Sequence, residues 1–363
     1  MATSSDKSKA RLTLFLGSGF SRALGLPTTE TLSRKLLTNP EGSVDQPLEA
    51  FISARIRGFW QAVFGWQDGT HPPTLEDHFT QIDMAANAGH NLGATYTPKK
   101  LRAIRRLTIH RIFSLLKSQG FQVERILEFF KRVHEKFEIT IITTNWDWEA
   151  ERCLELLHIP HHDGVDVITE TGTQPPGMGV PILKLHGSTN RGYCDSCRML
   201  VSFGEQLVEQ VVNLKLLLEP DDFRLFGEED LADRLARSRR WRTCTGCGGS
   251  IGMRVATFSY RKDMNPHAFH AIWGGAQTSL QLAGKWLFVG YSLPEADIEI
   301  RHLLKSAQLA RPDSRKVSIN VVLKEDCDAG ERYERFFGIT DDFVFQDGID
   351  EWIGRNLEDY AAI

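Results

Sequence analysis

Four of the six cysteines lie in two Cys-x-x-Cys pairs, Cys194 with Cys197 and Cys244 with Cys247. Each pair directs two thiolates toward one point, and two such pairs supply the four ligands of a tetrahedral zinc ion. Four cysteine ligands leave no open position for water, so the sequence predicts a structural zinc site at these residues. A redox dithiol is the alternative chemistry for either pair.

A loop with two glycines, Gly17-Ser18-Gly19-Phe20-Ser21, follows a short apolar run and precedes residues that can begin a helix. Glycine lets backbone N–H groups come close to a phosphate, and the start of a helix favours the negative charge. We therefore expect Gly17, Ser18, Gly19 and Ser21 to bind a phosphate-bearing ligand. A tight turn without a ligand is the alternative, since the last glycine of the Gly-x-Gly-x-x-Gly pattern is missing.

The tetrad Thr144-Asn145-Trp146-Asp147 comes directly after the apolar run 137–143. Polar residues at the carboxyl end of a parallel strand face the ligand crevice of an open α/β sheet. There an amide can orient a water or hold a hydroxyl, and a carboxylate can accept hydrogen bonds. We expect Thr144 and Asp147 to bind a ligand and Asn145 to be catalytic. A turn capped by an Asx side chain is the alternative.

His186 stands at the end of another apolar run, residues 182–185, and eight positions before the first cysteine pair. An imidazole titrates near neutral pH, so it can accept a proton from a hydroxyl or a water. We expect His186 to be a general base, although a lone histidine is more often a structural residue. The His-His-Asp run at 161–163 has no such context and is expected to form a polar loop.

In this order the motifs resemble those of the sirtuin superfamily of NAD-consuming enzymes. Asn145 and Asp147 match the family's Thr-Gln-Asn-Ile-Asp, and His186 matches its His-Gly ahead of the zinc pairs. Gly290 and Ser292 match a Gly-Thr-Ser-Leu segment that contacts the dinucleotide in that family. The resemblance implies that NAD is the ligand of the 17–21 loop. It also implies a residue near the adenosine ribose, at Asn320 or at 324–325.

The resemblance is closest to the sirtuin-like NAD hydrolases of bacterial anti-phage defence. Thr28 and Thr29 stand where deacylating sirtuins have Asp-Phe, and extra helical sequence separates the first two motifs. The resemblance implies cleavage of the nicotinamide–ribose bond to nicotinamide and ADP-ribose, with NAD depletion as the defence. An NAD-dependent protein-lysine deacylase and a non-catalytic NAD or ADP-ribose sensor are the alternatives.

These residues need a scaffold that brings strand ends together. Short apolar runs alternate with helical patterns, which predicts an α/β fold with a doubly wound parallel (Rossmann-like) sheet. We expect a disordered stretch at 1–11 and a sirtuin-like NAD-binding domain over 12–363. Within it we expect a helical insertion at about 39–135 and a small zinc-binding module at about 190–255.

The composition and charge of the chain limit the kinds of partner that we expect it to bind. The chain has 363 residues, 25% of them charged, with a formal net charge of -4, so nothing predicts direct nucleic-acid binding. It has no run of about 18 apolar residues and no secretory signal, and its cysteines do not form a disulfide framework. We therefore expect a cytoplasmic protein without membrane contact. Because the sequence shows no separate sensor domain, we expect a homo-oligomer or a partner chain, and the family resemblance allows a DNA-translocating ATPase as that partner.

Overall fold

The computed structural model describes residues 9–362, except 41–42, 44, 117–122, 170, 203–216, 239–242, 261–266, 312–316, 325–326 and 340–343. Its strands are β1 (Ala10–Leu16), β2 (Phe137–Thr143), β3 (His161–His162), β4 (Val167–Thr169), β5 (Gly172–Gln174), β6 (Val180–Lys184), β7 (Arg191–Cys194), β8 (Leu200–Ser202), β9 (Ile251–Gly252), β10 (Lys285–Val289), β11 (Ser318–Val322) and β12 (Val344–Phe345). Its helices are α1 (Ser18–Ala23), α2 (Thr29–Lys35), α3 (Gln46–Phe64), α4 (Leu75–Ala88), α5 (Pro98–Leu115), α6 (Glu124–Lys136), α7 (Glu149–Leu156), α8 (Asp221–Arg224), α9 (Glu229–Ser238), α10 (His267–Leu282), α11 (Ile298–Leu309), α12 (Cys327–Phe337) and α13 (Ile349–Ala362).

A seven-stranded sheet with the order β12-β11-β10-β1-β2-β6-β3 forms the centre of the molecule, and all its strand pairs are parallel. Along β1, Leu14 and Leu16 pack into one core and Phe15 packs into another. A strand covered on both faces forms an unbroken apolar run, which is why residues 12–16 predict it. The chain builds the sheet outward from β1 in both directions, so strand ends on either side of β1 meet in one crevice.

Helices cover both faces of this sheet. On the face of Phe15 the buried residues include Ile272 of α10, Leu304 of α11 and Tyr333 of α12. On the opposite face α1, α6, α7 and α13 pack together, with Phe129 of α6 fully buried. The molecule therefore has the doubly wound, Rossmann-like α/β sheet that the sequence predicts.

A third core lies in a helical bundle formed by α2, α3, α4, α5, α8 and α9. The side chains of Asp45, Thr74 and Thr97 accept backbone N–H groups at the starts of α3, α4 and α5, which satisfies donors that a helix leaves unpaired. Trp146 from the loop after β2 and Val255 from the loop after β9 are buried in the same core. Through them the bundle packs directly on the loops after β2 and β9.

A second sheet, with the order β5-β4-β8-β7-β9, holds the cysteine pairs. Ile168, Val201 and Ile251 pack around the cysteine side chains and form a small core of their own. Strands β4 and β5 precede the range expected for the zinc module, and they join its sheet because β4 pairs with β8. Within that expected range, residues 203–216 and 239–242 lie outside the described part of the chain.

The first strand begins earlier than its apolar run. The sequence predicts a disordered stretch at 1–11, and residues 1–8 of it lie outside the described residues. Ala10 and Arg11 belong to β1 and pair with Phe137 and Glu138 of β2, and the Arg11 side chain forms an ion pair with Glu138 at 3.2 Å. Both residues are exposed and Arg11 is charged, so the hydrophobic pattern alone does not reveal this part of the strand.

Other local expectations need correction. The His-His-Asp run at 161–163 is not wholly a loop, because His161 and His162 form the edge strand β3, paired with Val180 and Pro181. The Pro, Gly and Asp residues of the stretch 39–48 predict a loop, whereas helix α3 already begins at Gln46. Among the described helices, none has the length and apolar content needed to cross a lipid bilayer.

Candidate active site

A cavity of about 950 Å³ lies where the central strands end. The residues that the sequence singles out converge on it from four separate loops, those after β1, β2, β6 and β10. The predicted residues that line it are Ser18, Gly19, Ser21, Thr144, Asn145, Asp147, His186, Gly290 and Ser292. Gly17 lies beside the cavity lining, where its carbonyl oxygen accepts a hydrogen bond from Asn145.

The glycines of the first loop pack against the turn after β10. The Gly19 N–H donates to the Gly290 carbonyl at 2.8 Å, and the Gly17 N–H donates to the Val289 carbonyl at 3.0 Å. A Cβ on Gly17 would lie 2.5 Å from the Gly290 carbonyl oxygen, and one on Gly19 would lie 2.7 Å from the Gly290 Cα. Close approach of two backbones therefore requires these glycines, whether or not a phosphate also lies there.

Asn145, Ser21 and Asp147 form one hydrogen-bonded set in the cavity wall. Asn145 Nδ2 donates to the Gly17 carbonyl at 2.8 Å and to Ser21 Oγ at 2.9 Å, and Ser21 Oγ donates to Asp147 Oδ2 at 2.8 Å. These bonds use both N–H groups of the amide, so Oδ1 is the Asn145 atom that can bind a water or a ligand hydroxyl. The Ser21 hydroxyl orients the two side chains beside it.

Asp147 is buried among charged groups. Lys184 Nζ pairs with Glu151 at 3.0 Å and also donates to the Asp147 carbonyl oxygen. Burial raises the pKa of the Asp147 carboxyl, against the opposing effects of the Lys184 charge and the Ser21 hydrogen bond. Asp147 Oδ1 also accepts the Glu149 N–H at 3.1 Å, so the carboxylate is held on both oxygens at the start of α7.

His186 is 5% exposed and reaches the cavity from the end of β6. Its carbonyl oxygen accepts the Ala256 N–H at 3.0 Å, and the Ala256 carbonyl accepts Trp146 Nε1 at 3.2 Å. We call residues 253–260 the bridging segment, because it joins the loops after β2 and β6. Phe258 of this segment lines the cavity and packs on the Trp146 ring at 4.9 Å between centroids.

The turn after β10 is rigidly held. The carbonyls of residues 291–293 accept hydrogen bonds of 2.8–3.2 Å from side chains of α11 and α12. The donors are Tyr333, Arg332 and Arg301. Leu293 has φ +52, a left-handed conformation that non-glycine residues adopt only when their surroundings enforce it. Asp297 is the N-cap residue of α11 through its backbone carbonyl, and its side chain accepts the Tyr291 hydroxyl at 2.8 Å.

The four cysteines of the two pairs come together, as the sequence predicts. Their sulfur atoms all lie within 4.8 Å of one another, with 3.5 Å between Cys194 and Cys247 and 3.8 Å between Cys197 and Cys244. Four sulfurs at about 2.3 Å from a zinc ion are separated by about 3.8 Å. The cluster therefore fits a structural tetrathiolate zinc site.

The two cysteine pairs have the same backbone geometry. The Arg198 N–H donates to the Cys194 carbonyl at 2.7 Å, and the Gly248 N–H donates to the Cys244 carbonyl at 2.7 Å. Arg198 (φ +61) and Gly248 (φ +73) both adopt the left-handed conformation that closes such a turn. The matched turns direct both pairs of thiols toward a common centre.

Several residues in the cavity wall have no signal in the sequence. His71 lies in the loop between α3 and α4, and Phe258 lies in the bridging segment. Neither residue is close in sequence to the strand ends that carry the motifs, so no motif spacing predicts that they line the cavity. Of the candidates for the adenosine end, Lys324 lines the cavity, whereas Asn320 lies within β11 opposite Leu287. Residue 325, the other candidate, lies outside the described part of the chain.

No protein-family model and no curated protein matches this chain. Solved structures of Sir2 proteins are similar to it at low identity. A Sir2 homologue in complex with NAD is 13% identical, over 98% of this chain and 90% of that chain, with a TM-score of 0.43. A sirtuin whose structure was solved to explain its affinity for substrate is 14% identical, over 98% of this chain and 95% of that chain, with a TM-score of 0.43. Sir2 bound to an acetylated peptide is 13% identical over 99% and 96%, with a TM-score of 0.41. At identities and TM-scores this low, the similarity assigns no role to any residue of this chain.

Proposed function

We propose that this chain is an NAD hydrolase that cleaves the nicotinamide–ribose bond and releases nicotinamide and ADP-ribose. The observation that carries the proposal is the convergence of Asn145, Asp147 and His186 on one cavity with the 17–21 loop. The cavity lies at the carboxyl ends of parallel strands, where doubly wound sheets bind dinucleotides. Its volume of about 950 Å³ suits a ligand of that size.

In this proposal the pyrophosphate of NAD lies along the 17–21 loop and the turn of Gly290 and Ser292. The nicotinamide ribose lies at the ends of β2 and β6. Asn145 Oδ1 accepts a hydrogen bond from the attacking water or from a ribose hydroxyl, and the bonds from its amide nitrogen to Gly17 and Ser21 keep it in place. His186 accepts the proton.

The proposed reaction balances without a further reactant. The glycosidic C–N bond breaks, and nicotinamide leaves as a neutral base with the bonding electron pair. The ribosyl carbon develops positive charge, which the buried Asp147 carboxylate favours when it is ionised. Water adds to that carbon, and His186 takes the proton that the water loses. The products are nicotinamide, ADP-ribose and one proton.

Hydrolysis is favoured over transfer to an acyl-lysine by the residues at the start of α2. Thr28 and Thr29 line the cavity where the resemblance to deacylating sirtuins expects Asp-Phe. Thr28 Oγ1 accepts the Thr31 N–H at 3.4 Å, so this side chain caps a helix. A helix cap supplies neither the carboxylate nor the aromatic ring of the deacylase motif.

Further parts of the proposal rest on the resemblance of the sequence motifs. They are a role in anti-phage defence by NAD depletion, a homo-oligomeric and cytoplasmic protein, and a DNA-translocating ATPase as a possible partner. We also propose that residues 12–363 act as one NAD-binding domain. In it the helical insertion at about 39–135 and the zinc module at about 190–255 serve the same site.

Incubation of the purified full-length protein with NAD tests the proposal. We expect nicotinamide and ADP-ribose in equal amounts, with or without an acetyl-lysine peptide. His186→Ala and Asn145→Ala should lower the rate by about 10²–10⁴-fold and still bind NAD in calorimetry. His90→Ala, an exposed histidine outside the cavity wall, is the matched control. Release only with the peptide would indicate a deacylase, and binding without release would indicate a sensor.

A further inference from the structure

The bridging segment 253–260 is bonded on one side to the strand ends that carry the candidate active site. Both backbone polar groups of Ala256 form hydrogen bonds there. The Ala256 N–H donates to the His186 carbonyl, and the Ala256 carbonyl accepts from Trp146 Nε1. Gly187 has φ +84 and pairs with Val255 in an antiparallel bridge. The position of the His186 backbone therefore depends on where residues 255 and 256 lie.

On its other side the same segment is bonded to the helical bundle. Asp83 of α4 accepts Thr257 Oγ1 at 2.6 Å on one carboxylate oxygen and Arg105 Nε of α5 at 2.9 Å on the other. Arg105 also donates to the Val255 carbonyl at 3.4 Å. Asp83 is 5% exposed and Thr257 is 1% exposed, so the hydrogen bond between these two side chains is shielded from water. One aspartate thus joins two helices to the segment beside His186.

We propose that Asp83 is a positioning residue for His186: it holds the bridging segment, and through it the His186 backbone, at the cavity. The proposal rests on the proposed NAD hydrolase function, in which His186 is the base. Asp83 itself is not among the residues lining the cavity, and it reaches the bridging segment directly at Thr257 and by way of Arg105 at Val255. The helical bundle is then part of the catalytic scaffold.

The bundle contains a matched control for this ion pair. Arg106, the next residue of α5, pairs with Asp222, whose side chain is fully buried. Asp222 also accepts the Glu219 N–H at 2.9 Å, and none of these bonds reaches the bridging segment. Asp83→Asn and Asp222→Asn therefore remove the same charge from neighbouring ion pairs of one helix. Only the first change touches the segment that holds His186.

The kinetic test measures kcat and KM for nicotinamide release. Asp83→Asn and Thr257→Val should lower kcat by about 10- to 100-fold with little change in KM, since small misplacements of a catalytic group have effects of this size. Thr257→Ser keeps the hydroxyl and should retain the rate, and Asp222→Asn should do so as well. In a His186→Ala background, Asp83→Asn should cause no further loss. An equal loss in Asp222→Asn, or additive losses with His186→Ala, would overturn the proposal.

A second measurement does not depend on turnover. In protein labelled with ¹³C-histidine, the His186 ring resonance is identified by its absence from His186→Ala. It should shift in Asp83→Asn and in Thr257→Val and stay in place in Asp222→Asn. If the resonance shifts but the wild type releases no nicotinamide, the positioning role stands and the hydrolase proposal fails. If the resonance does not shift in Thr257→Val, the positioning role is wrong whatever the activity.

Discussion

His78 shows how burial sets the chemistry of a single residue. It is fully buried in the bundle, where Nδ1 accepts Trp60 Nε1 at 2.9 Å and Nε2 lies 3.0 Å from Thr108 Oγ1. Thr108 Oγ1 donates its own hydrogen to the Ile104 carbonyl, so the His78 proton is on Nε2. Burial lowers the pKa of His78 from 6.5 to about 3. The neutral ring is part of the bundle core.

This shift predicts a dependence of stability on pH. The unfolded chain binds a proton on His78 near pH 6.5 and the folded chain only near pH 3. Stability from this residue is therefore present above pH 6.5 and is lost as the pH falls, by about 1.4 kcal/mol per pH unit. In urea unfolding between pH 7 and 4, His78→Gln should show a shallower pH slope than wild type. His90→Gln, at an exposed position, should keep the wild-type slope.

At the scale of single residues, the sequence predicts which residues come together in the cavity more completely than it predicts their roles. Asn145, Asp147 and His186 are recognisable because each lies within four residues after the end of an apolar run, and such runs end together in a parallel sheet. The role of Ser21 is not recognisable in this way. Its hydroxyl bonds to side chains that lie far along the chain, and no local pattern records such a pairing. The same holds for Asp83 and Thr257.

At the scale of elements, the contact between the 17–21 loop and the turn after β10 is the tightest feature of the site. Gly290 has φ +64, and a Cβ there would lie 2.2 Å from the Phe20 nitrogen. Substitution of Gly19 therefore disturbs chain packing before it affects a phosphate. Loss of NAD binding in Gly19→Val would not by itself identify a phosphate loop.

Gly290→Ala should destabilise the fold by more than about 2 kcal/mol, because backbone atoms, which cannot move aside, face the new methyl group. Gly58→Ala is the control, since Gly58 lies within α3 and a Cβ there would have no neighbour within 4 Å. It should stabilise the protein by about 0.5–1 kcal/mol. Urea unfolding measures both, and equal effects of the two changes would contradict the packing role of Gly290.

Elements were predictable where hydrophobic pattern and burial agree. Strand β2 has the bounds of the β-branched apolar run 137–143, and five of its seven residues are buried, as expected of a strand in the middle of a parallel sheet. Strand β3 is two histidines at the edge of the sheet, and so short a strand has no period to detect. The start of α3 depends on the cap at Asp45, which lies within polar sequence typical of a loop.

For the whole molecule, the zinc module and the site are joined by the bridging segment. It begins directly after β9, which pairs with β7 at Cys194, and ends against the bundle, where the Tyr260 N–H donates to Thr80 Oγ1 at 2.9 Å. A metal held by the cysteine cluster would therefore stabilise the chain close to His186. Composition alone does not predict this link. It depends on how the cysteine-bearing sheet, the central sheet and the helical bundle pack around the bridging segment.

We expect one zinc ion per chain by elemental analysis of protein purified without chelators. Cys197→Ser should lose it, whereas Cys153→Ala, a buried cysteine outside the cluster, should retain it. Because ligand binding is coupled to local folding, chelation should speed hydrogen exchange in β7, β9 and the bridging segment and leave β1 and β2 protected. Uniform exchange after chelation, or a zinc-free wild type, would contradict this assignment.

The position of β1 at the centre of the sheet has a consequence for biosynthesis. Leu12 pairs on one side with Ile139 and on the other with Lys285, so the first strand made waits for partners from the middle and the end of the chain. At about 5–20 residues per second, roughly a quarter of a minute to a minute separates β1 from β10 on the ribosome. During that time α3, α4 and α5 can already pack on one another, since their contacts are local in the chain. We therefore expect the nascent protein to expose an apolar strand beside a formed bundle and to bind chaperones during its synthesis.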